Sequence, residues 1–159
     1  MNALMQLVDF RVFSLEITGA ESDADYTFPI TLDDFAFNID FNVYRHREAP
    51  EFFVKLKIEC VKPRDAVHPL EKIRIETGGV FTFPEGTEEE KIHQHVPLLC
   101  LTNLYGISRG AIINATGSFH TGPFILPLIN MGEYLKAHAV SGKAAPKTQK
   151  KKKAKKPGS

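Results

Sequence analysis

The sequence predicts an α+β fold, a four-stranded antiparallel sheet with two C-terminal helices. Three observations predict it. Apolar and polar residues alternate with a period of two over most of residues 7–83; the next 35 residues lose that alternation for a helical one; and a second, short helical pattern follows an extended, proline-bounded segment. A chain of 159 residues fits one domain, residues 1–139, and a tail, residues 140–159.

The first strand is LVDFRVFSLEI, Leu7 to Ile17, rich in β-branched and aromatic residues and ended by Thr18-Gly19. Gly19 to Pro29 is polar and turn-prone, too long for a hairpin, and reads as a crossover that supplies Tyr26, Phe28 and Ile30. The second strand alternates most cleanly, with Phe35, Phe37, Ile39, Phe41 and Val43 on one face and Asn38, Asp40 and Asn42 on the other. After a turn at Pro50, Phe52, Val54, Leu56, Ile58 and Cys60 repeat the pattern against Lys55, Lys57 and Glu59. The fourth strand, KIRIETGGVFTF, alternates until Gly78-Gly79, where paired glycines predict a bulge or kink. Four strands with one apolar face each require a cover.

Helices supply that cover. Thr87 is placed to cap a helix whose first turn holds Glu88, Glu89 and Glu90, favourable to the helix dipole. Pro97 predicts a restart, because proline fits the first helical position. One face beyond it carries Leu98, Leu101, Tyr105 and Ile112; a second carries Cys100, Leu104, Ile107 and Ala111. One sheet cannot cover two sides, and Gly106 and Gly110 allow a second helix close approach. A homo-oligomer interface through Leu98, Leu101, Tyr105, Gly106, Gly110 and Ile112 is therefore expected. Gly117 ends the helix. PFILPLIN is extended, and Asn130 caps a last helix, MGEYLKAHA.

Charge is unevenly shared. Eight of the 20 basic residues are lysines between Lys143 and Lys156, so residues 1–142 hold 12 basic and 19 acidic side chains, a difference of 12 − 19 = −7. An acidic body disfavours nucleic acid, whereas the low-complexity tail suits anionic partners such as ribosomes or RNA. The start, MNALMQLVDFRVF, has neither a basic stretch nor a signal-like apolar run, which predicts a cytoplasmic protein whose Cys60 and Cys100 are thiols. Val96 to Phe119 is long enough to span a bilayer, but Asn103, Ser108, Arg109 and Asn114 crowd its middle, and a buried core helix is the reading.

Catalytic patterns are sparse. His93 and His95 lie two apart, unsuited to sharing a helix face around a metal. Asp33 and Asp34 are adjacent, and neighbours in a strand point to opposite faces. Neither a phosphate-cradling glycine loop nor a nucleophile elbow occurs, so no enzyme activity, metal or cofactor is expected.

Three motifs in order, GGVFTF (Gly78 to Phe83), LYGISRG (Leu104 to Gly110) and PFILPLIN (Pro123 to Asn130), resemble the SecB family of protein-export chaperones, over roughly Leu7 to Lys136. The resemblance implies a dimer of dimers that holds non-native polypeptides in extended form, without ATP, and hands them to the SecA motor. It places the client on Tyr26, Phe28, Pro29 and Ile30 of the crossover and Phe35 and Phe37 of the second strand. Phe124, Ile125, Leu126, Leu128, Met131, Tyr134 and Leu135 complete that surface. It also implies a possible SecA contact at Glu16. The chain departs from the pattern at Arg74, where the family places an acid, and in its lysine tail. Two alternatives share the field: a SecB-like chaperone dedicated to an antitoxin or another single client, and a ribosome- or nucleic-acid-associated protein acting through the tail.

Overall fold

A computed structural model describes residues 5–19, 35–64, 70–119 and 122–140, with side chains as far as residue 138. Four strands, β1 (Gln6–Gly19), β2 (Ala36–Arg45), β3 (Glu51–Val61) and β4 (Leu70–Thr82), precede two helices, α1 (Glu89–Thr116) and α2 (Met131–Val140). Every pairing is antiparallel and the strand order is β1-β4-β3-β2, which leaves β1 and β2 at the edges. The expected α+β architecture is the observed one. The crossover and the lysine tail, with Tyr26, Phe28, Pro29 and Ile30, lie outside the described residues.

Side-chain alternation sorts each strand between two faces. Val54, Leu56, Ile58 and Cys60 of β3 and Ile73, Ile75 and Phe81 of β4 point toward α1 and are buried. Their neighbours, Lys55, Lys57, Glu59, Arg74 and Glu76, lie on the opposite face. α1 packs chiefly on the central strands and buries Ile92, Val96, Cys100, Leu101, Leu104, Tyr105, Ser108, Ile112 and Thr116.

Three expectations are corrected here. The glycine pair does not interrupt β4, whose pairing with β3 runs unbroken from Glu51↔Thr82 to Val61↔Lys72; in the β1–β4 pairing the register shifts between Leu7 and Asp9, between Val12 and Ser14, and between Thr18 and Gly19, none of them at Gly78 or Gly79. Gly78 instead lets Phe13 and Phe53 close over the outer face, where an added Cβ would sit 2.6 Å from the Phe13 ring. Thr87 does not cap α1: its hydroxyl donates to the Pro84 carbonyl, and Glu88 occupies the cap position without a side-chain bond. Pro97 lies inside one continuous helix rather than restarting it. Sheet contacts through Val96 and Cys100 on either side hold the axis there, so one lost backbone bond is tolerated.

The residues expected at an oligomer interface divide between core and surface. Leu101 and Ile112 are fully buried and Tyr105 nearly so, within the same protomer. In the single protomer they belong to the core. Leu98 is only partly buried, and Gly106 and Gly110 lie on the exposed side with open space where a Cβ would project.

A buried hydroxyl pair fixes α1 over the sheet. Ser108 Oγ donates to the Leu104 carbonyl at 2.8 Å, so its 2.9 Å contact with Thr77 Oγ1 takes its hydrogen from Thr77. Removing the Ser108 hydroxyl would strand that of Thr77 away from water, whereas Ser108 keeps its bond to Leu104 when Thr77 loses its hydroxyl.

Candidate functional site

The site begins where α1 ends. Gly117 closes the helix, Gly122 turns the chain with φ +79°, and residues 122–130 run back along α1 as an extended strap without regular secondary structure. Extended backbone without a strand partner needs other partners. Three α1 side chains provide them. Thr116 Oγ1 accepts from the Phe124 amide at 2.8 Å, Arg109 Nε donates to the Leu126 carbonyl at 2.9 Å, and Tyr105 Oη donates to the Pro127 carbonyl at 2.8 Å. Burial pushes the Tyr105 phenol up to about 12, so it remains a donor throughout the neutral range.

Asn130 then starts α2 as the sequence predicts, its Oδ1 accepting from the Glu133 amide at 3.2 Å. Tyr134 Oη reaches back to the Ile39 carbonyl on edge strand β2 at 2.9 Å. Burial, followed by the Asp40 charge, raises the pKa of this phenol as well. Strap, α2 and the β2 edge thus form one surface.

Alternation along the strap decides what that surface offers. Phe124 and Leu126 are buried, and the Phe124 ring meets Phe35 edge-on at 5.5 Å. Met131 is buried too. Phe35, Phe124, Leu126 and Met131, expected on a client surface, are buried here and anchor the strap to the core. Ile125 and Leu128 point outward and are 49% and 84% exposed. Phe37, Tyr134 and Leu135 pack partly against the core and line the approach. Of the described residues expected to touch a client, Ile125 and Leu128 stand most open, with Phe37, Tyr134 and Leu135 beside them.

A second apolar surface, on edge strand β1, escaped the sequence reading. Val8, Phe10, Val12 and Phe13 are each between 42% and 56% exposed. Phe10 and Val12 stand opposite Gly79 and Thr77 on the helix side, yet α1 sits over β4 and β3 and leaves them bare. On the other face Phe13 meets Phe53 edge-on at 6.2 Å, and Tyr44 lies 5.9 Å from Phe53. A cavity of about 260 Å³ opens beside these rings, floored by Gly78 and Gly79. The signal was present: LVDFRVF carries apolar residues at both parities, which one-sided alternation does not explain.

Glu16, the possible docking acid, lies on the outer face opposite Arg74 in the β1–β4 register, and Lys72 Nζ is 3.7 Å from its carboxylate. Arg74 and Lys55 both pair with Glu76, at 2.9 and 3.0 Å. Those pairs hold the Glu76 carboxyl below its ordinary value, the Lys55 hydrogen bond most. Acid and base are matched across this part of the sheet. Cys60 and Cys100 are buried thiols, each pushed up to about 12 chiefly by burial. Among the described residues no group of three or more His, Cys, Asp and Glu side chains is placed to hold a metal ion.

No family model matches the chain, and no curated protein matches it. Solved structures do. A SecB-like chaperone from Mycobacterium tuberculosis, solved in complex with a ChAD peptide from the HigA1 antitoxin, superposes with a TM-score of 0.55 at 14% identity, over 79% of this chain and 91% of that one. A protein of unknown function from Streptococcus agalactiae gives a TM-score of 0.43 at 14% identity, over 79% and 100% of the two chains. The first of these shows that the chain has a SecB-like fold.

Proposed function

We propose that this protein is an ATP-independent holding chaperone that binds non-native polypeptide in extended form. The observation that carries the reading is the strap. Its buried residues and three side-chain hydrogen bonds hold an extended segment in place, while Ile125 and Leu128 remain in solvent. Leaving a leucine 84% exposed forgoes about 1.5–3 kcal/mol of burial, which a client side chain can recover. Phe37, Tyr134 and Leu135 extend the contact, and several shallow contacts along one client chain add avidity.

Homo-oligomer assembly belongs to the same reading. A 14-residue edge strand that exposes Val8, Phe10 and Val12 is an association surface unless something covers it, and a second copy is the proposed cover. Gly106 and Gly110, on the open side of α1, offer a further close approach. The proposed compartment is the cytoplasm.

A client dedicated to this chaperone is the second reading, because the structurally similar chaperone is solved with a peptide of an antitoxin. Delivery to SecA through Glu16 draws less support, since Lys72 pairs with the acid that would make the contact and the basic Arg74 stands opposite it.

Diluting a denatured, aggregation-prone protein into buffer with and without this chaperone, in the absence of nucleotide, tests the proposal by light scattering. Suppression at near-stoichiometric chaperone supports it. Unchanged scattering across several clients would rule out a general holding role and leave the dedicated client.

A further inference from the structure

Arg109 is the only Asp, Glu, Lys or Arg among residues 92–132. It is partly exposed and sits on α1 directly against the strap. Its Nε–H is taken by the Leu126 carbonyl, but a guanidinium has five N–H groups, and the remaining four are on the two terminal nitrogens. Among the described residues, six ion pairs form on strands, loops and the start of α1, and none includes Arg109. Its terminal nitrogens are not among the buried polar atoms left without a partner, so they reach solvent. A cation with open donors is therefore bound to the Leu126 carbonyl, which lies in the chain between Ile125 and Leu128, the two large apolar side chains that the strap leaves exposed.

We propose that the strap surface recognises an extended peptide in which an aspartate or glutamate is flanked by apolar residues, with Arg109 binding the carboxylate. This rests on the chaperone reading and adds the chemistry of the client. Charge complementarity argues for the occupant: exposed apolar side chains flank a guanidinium that forms no ion pair among the described residues, and a carboxylate is the planar, two-oxygen acceptor that its terminal nitrogens fit. In a strand-like client, alternate residues face the surface, so an acid two positions from a leucine presents both groups to the strap at once. The bond to Leu126 fixes the guanidinium plane before the client arrives, so little side-chain freedom remains to be lost on binding.

Fluorescence anisotropy with the full chain tests this, using three labelled peptides blocked at both ends. They alternate leucine and serine and differ only in a central Glu, Gln or Lys. The Glu peptide is expected to bind about tenfold more tightly than the Gln peptide, the scale of one charge-assisted hydrogen bond at a partly exposed site, and the Lys peptide more weakly still. The Glu-to-Gln ratio falls to near one in Arg109→Gln and is partly retained in Arg109→Lys. Because the ratio is measured within each variant, a loosened strap lowers both affinities and leaves the comparison valid. Equal binding of Glu and Gln peptides to the natural protein, or a preference that survives Arg109→Gln, overturns the carboxylate proposal alone. Binding of none of the three overturns the strap as a client surface, and this proposal with it.

Discussion

Replacing Leu128 by serine separates what the strap does for a client from what it does for the fold. The side chain is 84% exposed, so folding has little to lose; surface substitutions of this kind usually fall within about 0.5 kcal/mol. Binding has much to lose. Full burial of a leucine is worth about 1.5–3 kcal/mol, and 0.84 of that is about 1.3–2.5 kcal/mol, or roughly tenfold to sixtyfold in affinity for a peptide that spans the strap. Leu126 is the control two residues away. It is fully buried, and Leu126→Ala is expected to cost about 2–5 kcal/mol of folding stability. Peptide titration by anisotropy and urea unfolding by circular dichroism, run on both variants, give the two readouts. If Leu128→Ser binds within twofold of the natural protein, the strap is not a client surface. If Leu126→Ala unfolds with an unchanged midpoint, the buried-and-exposed alternation is wrong.

The close approach of α1 to β4 predicts a coupled pair. A Cβ at Gly79 would meet Leu104 at 3.2 Å and Leu7 and Phe81 at 3.0 Å, so Gly79→Ala is destabilising, and less so once Leu104→Ala has opened space. A double-mutant cycle in urea should give a coupling of order 1 kcal/mol, and strict additivity would refute the contact. Phe10→Glu is expected to shift the protein to a smaller species in analytical ultracentrifugation, because it charges the bare β1 edge; an unchanged mass argues against that interface. Glu76 has a folded pKa below its unfolded one, so its contribution is present above about pH 4.3 and is lost as pH falls through the lowered value. Urea midpoints from pH 7 to pH 3 should therefore drop more steeply for the natural protein than for Glu76→Gln. Cys60 and Cys100 should resist a thiol reagent at pH 8 in the native state and react only as the protein opens; rapid labelling of folded protein would contradict their burial.

Much of this was legible in the sequence because local patterns have local causes. Period-two alternation in β2 and β3 and at the start of β4 reports one wet face and one dry face, and each strand appears where the pattern runs. Asn130 precedes α2 as an N-cap, and the thiols lie in apolar strand and helix segments that bury them. Those readings need only a residue and its near neighbours.

What tertiary structure decided was where each apolar surface goes. Leu101, Tyr105 and Ile112 looked like a second face of α1, free for a partner, but all three are buried within the protomer, where the strap returns along α1 and takes the Tyr105 hydroxyl at Pro127. Phe124 and Ile125 are adjacent apolar residues of the same size class, yet one is core and the other solvent, because Thr116 and Arg109 fix which way the strap turns. Phe10 reads as an ordinary inward strand residue and is bare because α1 stops short of the edge. Sequence by itself determined the elements and their periodicity, since hydrophobicity acts residue by residue. Coverage is a property of how whole elements pack, and only the assembled fold assigns it.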